Sequence, residues 1–539
     1  MNIKILPFLL FNIVVSSQQI GDFISVPPGA QNTDFIIPSS HRFQKIIEAG
    51  DALSQGGNLM ANNDFSGYVP IGGSSTNGYL AINAETAPGG VSILDVNYNS
   101  SSNLWQVTNS QAVDFSSLVL TAANCSGTVT PWNTIISCEE YTSIELENNP
   151  NYGFPRDLNG DGYDDLGWAI EIDPATKTVI DQPGGRNGPD KLWAMGNFKH
   201  ENAAIHNNQR TVYQGADATL GYLYKFVSNS PQDLSSGNLY VYTGPKNGSG
   251  NWVQLNNTTQ AEINSTTAQS TAVGATAFNG IEDVEIGPDG KIYFAVKEEG
   301  RVYRFQDSDP ISGTTVSQME TYVGNATYTV THEGGSSNVN WGTGNDNMAF
   351  DGDGNLWVLQ DAGNFQNYIW VIENGHTQSN PKVKIFARTP ADSEPTGITF
   401  SPDYQFLFMS IQHPNSNNGS TTQTDAAGNQ VAFNKSVTLV ISQNSPTDQT
   451  WYLDADGDGY AAPNTISSPT SPGIGYTTNI LPLTDCNDNN ASINPNTIWY
   501  LDADGDGYAD PTTVESCQSP GTGYSTSVIP TTDCDDNDA

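Results

Sequence analysis

The chain has 539 residues, with 58 Asp and Glu against 19 Lys and Arg, a formal net charge of −39. So negative a surface repels a phosphate backbone and argues against nucleic acid as a partner. It attracts cations, or simply keeps an exported protein soluble.

Residues 1–17 carry one lysine, an apolar run from Ile5 to Val15, and the small residues Ser16 and Ser17. This is the pattern of a signal peptide, too short to span a bilayer. No other apolar stretch approaches the ~18 residues a span needs. A secreted or cell-surface protein with no membrane span is expected, and a monomer.

Gly, Asn, Ser and Thr abound from Asp22 to Gln443, and long 3.6-period apolar stretches are scarce. Short β-rich runs alternate with Gly/Asp/Asn turns, as in GPDGKIYFAVKEEGRVYRF, FDGDGNLWVLQDAG and SPDYQFLFMSIQHP. This predicts an all-β fold built of turn–strand units. Acid-bearing clusters recur once per unit, at Glu85, Glu139, Glu201, Glu282, Asp346 and Glu394, with gaps of 54, 62, 81, 64 and 48 residues. Six such stations predict a six-bladed β-propeller over residues 22–443, its carboxylates converging on the central channel.

One station stands apart. In SCEEYTS, Cys138 precedes Glu139 and Glu140. Adjacent carboxylates are costly to desolvate unless a cation sits among them. Carboxylates suit Ca²⁺, and a thiolate selects a softer transition metal. A buried structural cysteine, or a disulfide between Cys138 and Cys125, is the plain alternative. His200 and His413 read equally well as packed or as site residues. No Ser-His-Asp arrangement or phosphate-cradling glycine loop is seen.

Further along, DLNGDGYDD offers Asp157, Asn159, Asp161 and Asp165 as a calcium loop, or as a metal-free Asn/Asp/Gly turn. A linker at 444–450 leads into an internal repeat. WYLDADGDGYAAP begins at Trp451 and WYLDADGDGYADP at Trp499, giving units 451–498 and 499–539, the second incomplete. Alternate aspartates, a permissive glycine and a following DCxDN segment suit Ca²⁺. The ligands would be Asp454, Asp456, Asp458, Asp485 and Asp488 in the first unit. In the second they would be Asp502, Asp504, Asp506, Asp533 and Asp536. Cys517 and Cys534 can close a loop within the second unit, which leaves Cys486 without a partner.

The body resembles the PhoX-type alkaline phosphatases, secreted six-bladed propellers. The resemblance rests on GYLAINAETAPGGVS, NCSGTVTPWNTIISCEEYTS, KHENAAIH, GIEDVEIGPDGKIYFA, DNMAFDGDGNLWVLQDAG and EPTGITFSPDYQFLFMSIQHP, in the family's order. The tail resembles thrombospondin type-3-like calcium repeats. The resemblance implies a phosphomonoesterase with a cluster of iron (Fe³⁺) and Ca²⁺ at the channel mouth. It makes Cys138 an iron ligand. It makes Glu85, Glu139, Glu140, Glu201, Glu282 and Glu394 carboxylate ligands, with Asp217 and Asp346 as further candidates. Cys138, Glu139, Glu140 and Glu282 would form the catalytic group. Two departures stand out: the family's phosphate-clamping arginine is replaced by Gly280, and its NHE motif reads Asn83-Ala84-Glu85. Lys199, Lys225 or Arg304 would then have to supply the clamp. Two other functions compete, a cation-binding adhesion propeller that has lost catalysis and a Ca²⁺-dependent lactonase or phosphotriesterase-like hydrolase.

Overall fold

The computed structural model describes residues 19–149, 155–181, 191–362, 367–444, 449–468 and 471–535. The expected signal peptide, Asp536 and most of the expected linker lie outside them. The chain divides into two units, Met1–Gln443 and Asn444–Ala539.

Unit one is a six-bladed β-propeller. Its innermost strands are Asn63–Pro70, Asn124–Val129, His200–Ile205, Ile281–Ile286, Asn345–Phe350 and Glu394–Phe400. Each packs on the next, and the sixth packs on the first, closing a ring. Every blade is an antiparallel four-stranded meander. In the sixth, the outermost strand is His41–Glu48 from the chain's beginning, paired with Val437–Gln443. This joins the two ends of the propeller by backbone hydrogen bonds and leaves no open seam. An extra strand, Gly248–Gln254, bridges the third and fourth blades.

The blades stack through apolar faces. Trp341 and Trp370 are fully buried and stack at 4.7 Å between ring centres, and Trp357 is fully buried in a neighbouring cluster with Phe386 and Leu407. At the channel the backbones come so close that a side chain is excluded. A Cβ on Gly397, at φ +49°, would lie 2.3 Å from Ser66 N and 2.5 Å from Asp64 O, so only glycine fits.

Every innermost strand carries a register irregularity near its start, such as between Asn63 and Ser66, Asn124 and Gly127, and His200 and Ala203. In a regular strand successive side chains face opposite ways. A bulge breaks that alternation. It lets consecutive residues, such as Glu201 and Asn202 or Asp346 and Asn347, both line the channel.

Unit two repeats one small motif. Gln449–Leu453 pairs with Thr465–Ser468 and Tyr476–Thr477, and Ile498–Leu501 pairs with Val514–Glu515 and Tyr524–Ser525. The disulfide joins Cys486 to Cys517, across the repeat boundary, and Cys534 is a free, exposed thiol. This corrects the expected Cys517–Cys534 pairing. The start of the second motif explains it: Ser516 N donates to Thr497 O at 2.9 Å, which sets Cys517 beside the end of the first repeat, residues 451–498.

Candidate metal centre

A cavity of about 240 Å³ sits at one end of the channel, lined by twelve side chains. They form two rings of six. The upstream ring lies at the start of each innermost strand: Asp64, Cys125, Glu201, Glu282, Asp346 and Glu394. The other ring is the residue just past each second strand: Glu85, Glu140, Asp217, Lys297, Asp361 and His413. Nine carboxylates thus face one thiol, one imidazole and one ammonium.

Two groups of carboxylates have ligand oxygens within 4.8 Å of one another: Glu201, Glu282 and Asp346, and Asp346, Asp361 and Glu394. Asp346 belongs to both. Burial first, and repulsion from neighbouring carboxylates second, push Asp64, Glu201 and Glu394 well above the ordinary carboxylate range. Burial also raises Glu282 well above that range and lifts Asp346 to about 7, against the pull of Lys297. Asp64 Oδ1 is buried without a hydrogen-bond partner, and Glu282 Oε1 has only the ion pair with Lys297 Nζ at 3.3 Å. Crowded buried carboxylates are costly unless a cation sits among them, and the residues present fit hard divalent ions.

Of the sequence-derived ligands, Glu85, Glu140, Glu201, Asp217, Glu282, Asp346 and Glu394 line this cavity. Cys138 and Glu139 do not. Cys138 sits on the second strand of its blade, fully buried among Leu192, Met195 and Tyr224. The innermost strand lies between it and the channel, and the thiol on that strand is Cys125. Glu139 faces away from Glu140, as strand alternation requires. Its Oε1 lies 2.6 Å from Lys191 Nζ, and its Oε2 accepts from Gly167 N and Trp168 N at 3.2 Å. Lys191 Nζ also donates to Leu120 O and Asp165 O. This pair anchors the strand end that presents Glu140.

Asp64, Cys125, Lys297 and Asp361 also line the cavity, and no motif in the sequence singles them out as site residues. Lys297 Nζ lies 3.3 Å from Glu282 Oε1 and 3.2 Å from Asp361 Oδ2. Of the cations expected to replace the clamp, Lys225 is buried against Asp307 at 2.6 Å and Arg304 pairs with Glu320 at 2.8 Å, both away from the cavity lining. Lys199 stands at the rim, 3.1 Å from Glu140. Burial opposes its charge, but Glu140, Asp217 and Glu145 outweigh that and raise its pKa. Gly280 has φ +79°, and a Cβ there would lie 2.8 Å from Asp217 Oδ1. An arginine at 280 is therefore strained in this chain.

Beneath the rings a polar girdle lines the channel. Asn202 donates to Asp283, Asp283 also accepts from the Met348 amide, and Asn347 donates to Ser126 Oγ at 3.2 Å. His200 is packed, stacked on Phe198 at 3.7 Å with Nε2 at 2.9 Å from Gly196 O. Burial lowers its pKa to about 4.

The remaining loops are shaped for oxygen donors. Asp157 accepts from the amides of Gly160 and Gly162, and Asp165 from that of Leu158. In the tail, Asp454, Asp456 and Asp458 converge, as do Asp456, Asp485 and Asp488, and Asp502, Asp504 and Asp506. One oxygen each of Asp456, Asp458, Asp485, Asp504 and Asp533 is buried without a partner.

The fold and site define a six-bladed β-propeller with an acidic, cation-competent centre in its channel mouth. Residues 99–415 match the family model of alkaline phosphatase PhoX, and the chain belongs to that family. Among solved structures it is similar to Pseudomonas fluorescens PhoX in complex with vanadate, a transition state analogue. That likeness has a TM-score of 0.59 and 22% identity, over 78% of this chain and 98% of that one. A calcium-binding protein, regucalcin, from Agrobacterium tumefaciens matches at a TM-score of 0.37 and 10% identity, over 78% and 96% of the two chains. No curated protein matches the sequence.

Proposed function

We propose that this protein is an exported phosphatase that hydrolyses phosphate monoesters at a cluster of Ca²⁺ and Fe³⁺ in the propeller channel. Family membership supports the reaction class. The observation that carries the reading is the double ring, nine carboxylates and a thiol around about 240 Å³.

Glu201, Glu282, Asp346, Asp361 and Glu394 would hold hard cations, with Glu85, Glu140, Asp217 and Asp64 completing the set. Cys125 would give iron its softer ligand, once binding draws off a proton that burial and the adjacent carboxylates otherwise hold on the thiol. Bound cations supply Lewis acidity toward the phosphoryl oxygens and an acidified oxygen nucleophile. The chain's own part is to orient and insulate. Gln412 Nε2 donates to Glu85 Oε2 at 2.6 Å and fixes that carboxylate. The Glu139–Lys191 pair fixes the strand behind Glu140. The girdle of Asn202, Asp283 and Asn347 backs the site on its channel side. The tail repeats and the Asp157–Asp165 loop are read as structural calcium sites, and the protein as a monomer.

The test is turnover of p-nitrophenyl phosphate after chelation and stepwise return of Ca²⁺ and iron. Activity lost on chelation and restored by the two metals is expected. Full activity in chelator, or none in folded, metal-loaded protein, contradicts the reading.

A further inference from the structure

Lys297 is the one ammonium lining the cavity among the described residues, and it occupies a ring position that elsewhere carries Glu, Asp or His. It touches Glu282 at 3.3 Å and Asp361 at 3.2 Å. Those partners belong to different carboxylate groups, which share Asp346. A single ammonium thus spans both candidate cation positions.

An ammonium and a divalent ion compete for the same carboxylate oxygens and repel each other at contact distance. The ammonium has three donors, no acceptor and a flexible four-carbon stem, so on losing Glu282 and Asp361 it must find another anion. Lys297 N donates to Gly280 O at 2.9 Å, which pins the backbone and leaves the flexible stem as the part that turns. The Lys297 side chain is 26% exposed, so it is not sealed within the cavity wall.

We propose that Lys297 is a placeholder cation: it neutralises Glu282 and Asp361 while the two carboxylate groups are empty, and on cation loading it turns to bind a phosphoryl oxygen of the substrate. This rests on the phosphatase reading and adds to it a substrate-binding residue that exchanges partners.

The test titrates inorganic phosphate into calcium- and iron-loaded wild type, Lys297→Met and Lys297→Arg, and Ca²⁺ into their metal-depleted forms. Loss of a charge-assisted contact should weaken phosphate binding to the Met variant by about tenfold or more, with Arg staying close to wild type. Ca²⁺ should bind the Met variant more tightly than wild type, because its competitor is gone. Phosphate binding unchanged in the Met variant, or Ca²⁺ binding no tighter, overturns the exchange while leaving the phosphatase reading intact. Loaded wild type that binds no phosphate overturns both. A measurement on wild type alone guards against a variant that fails to fold. Acetylation of Lys297, read by mass spectrometry, should rise on cation loading and fall again with phosphate; constant reactivity overturns the proposal.

Discussion

The Cys125 thiol lies 3.5 Å from the carbonyl oxygen of Cys138, yet only Cys125 reaches the cavity. One cysteine is a candidate ligand and the other is packing. Cys125→Ser should abolish the thiolate–iron absorption of metal-loaded protein and reduce iron content. Cys138→Ser should keep the spectrum and cost about 1–3 kcal/mol of stability, the effect of placing a hydroxyl in an apolar core. Iron lost in the Cys138 variant and kept in the Cys125 variant would reverse the assignment.

Chelation should destabilise the propeller in a pH-dependent way. Asp346 titrates near 7 in the folded chain against an ordinary value of 3.8, burial being the main cause. Its raised pKa means the metal-free native state holds a proton that the unfolded chain releases. Stability therefore falls as pH rises from about 4 to 7, and Glu201 and Glu394 act in the same sense. Thermal melts in chelator should show a lower midpoint at pH 8 than at pH 5. Saturating Ca²⁺ should reduce that difference, adding about 2.7 kcal/mol per site at a hundredfold excess over Kd. Equal melting with and without chelator at pH 8 would contradict this.

The Glu139–Lys191 pair is buried and strained toward neutrality, since burial raises the one pKa and lowers the other. Lys191→Met should cost about 3–5 kcal/mol by leaving a buried carboxylate unpaired. Glu139→Gln with Lys191→Met should recover part of that loss. Chemical denaturation of the three forms decides it, and additive losses would show that the pair is not coupled.

His41 begins the strand that closes the ring and is 6% exposed. Burial lowers its pKa from 6.5 to about 4, against a carbonyl contact with Ile20. A depressed histidine contributes stability that is present above 6.5 and is lost as pH falls toward 4. The loss by pH 4.5 should be roughly 2–3 kcal/mol from this group. His41→Gln should flatten the acid limb of a stability-against-pH curve; an unaltered limb would assign the loss elsewhere.

The propeller was legible in the sequence because each blade repeats one acid-bearing turn. The site was half legible. Of the six stations, Glu85 belongs to the ring past the second strands, Glu201, Glu282, Asp346 and Glu394 belong to the ring at the innermost strands, and Glu139 belongs to neither. Both rings are written in the text. NDF, NCS, HEN, IED, NDN and SEP open the inner strands, and AET, EEY, ADA, VKE, QDA and QHP follow the second ones. Aligning all twelve brings out Asp64, Cys125, Lys297 and Asp361 together. What the text hides is direction. Nothing local distinguishes Glu139 from Glu140, since that depends on where the strand ends, nor shows that the bulges turn Asn202 and Asp283 inward beside Glu201 and Glu282.

The most direct test of the account is elemental analysis of the purified protein, wild type against Asp346→Asn. Asp346 joins both carboxylate groups, so wild type should carry iron and calcium in the propeller and the variant should lose bound metal from both positions. Wild type without iron, or a variant with unchanged metal content, would contradict a cation cluster held by the two rings.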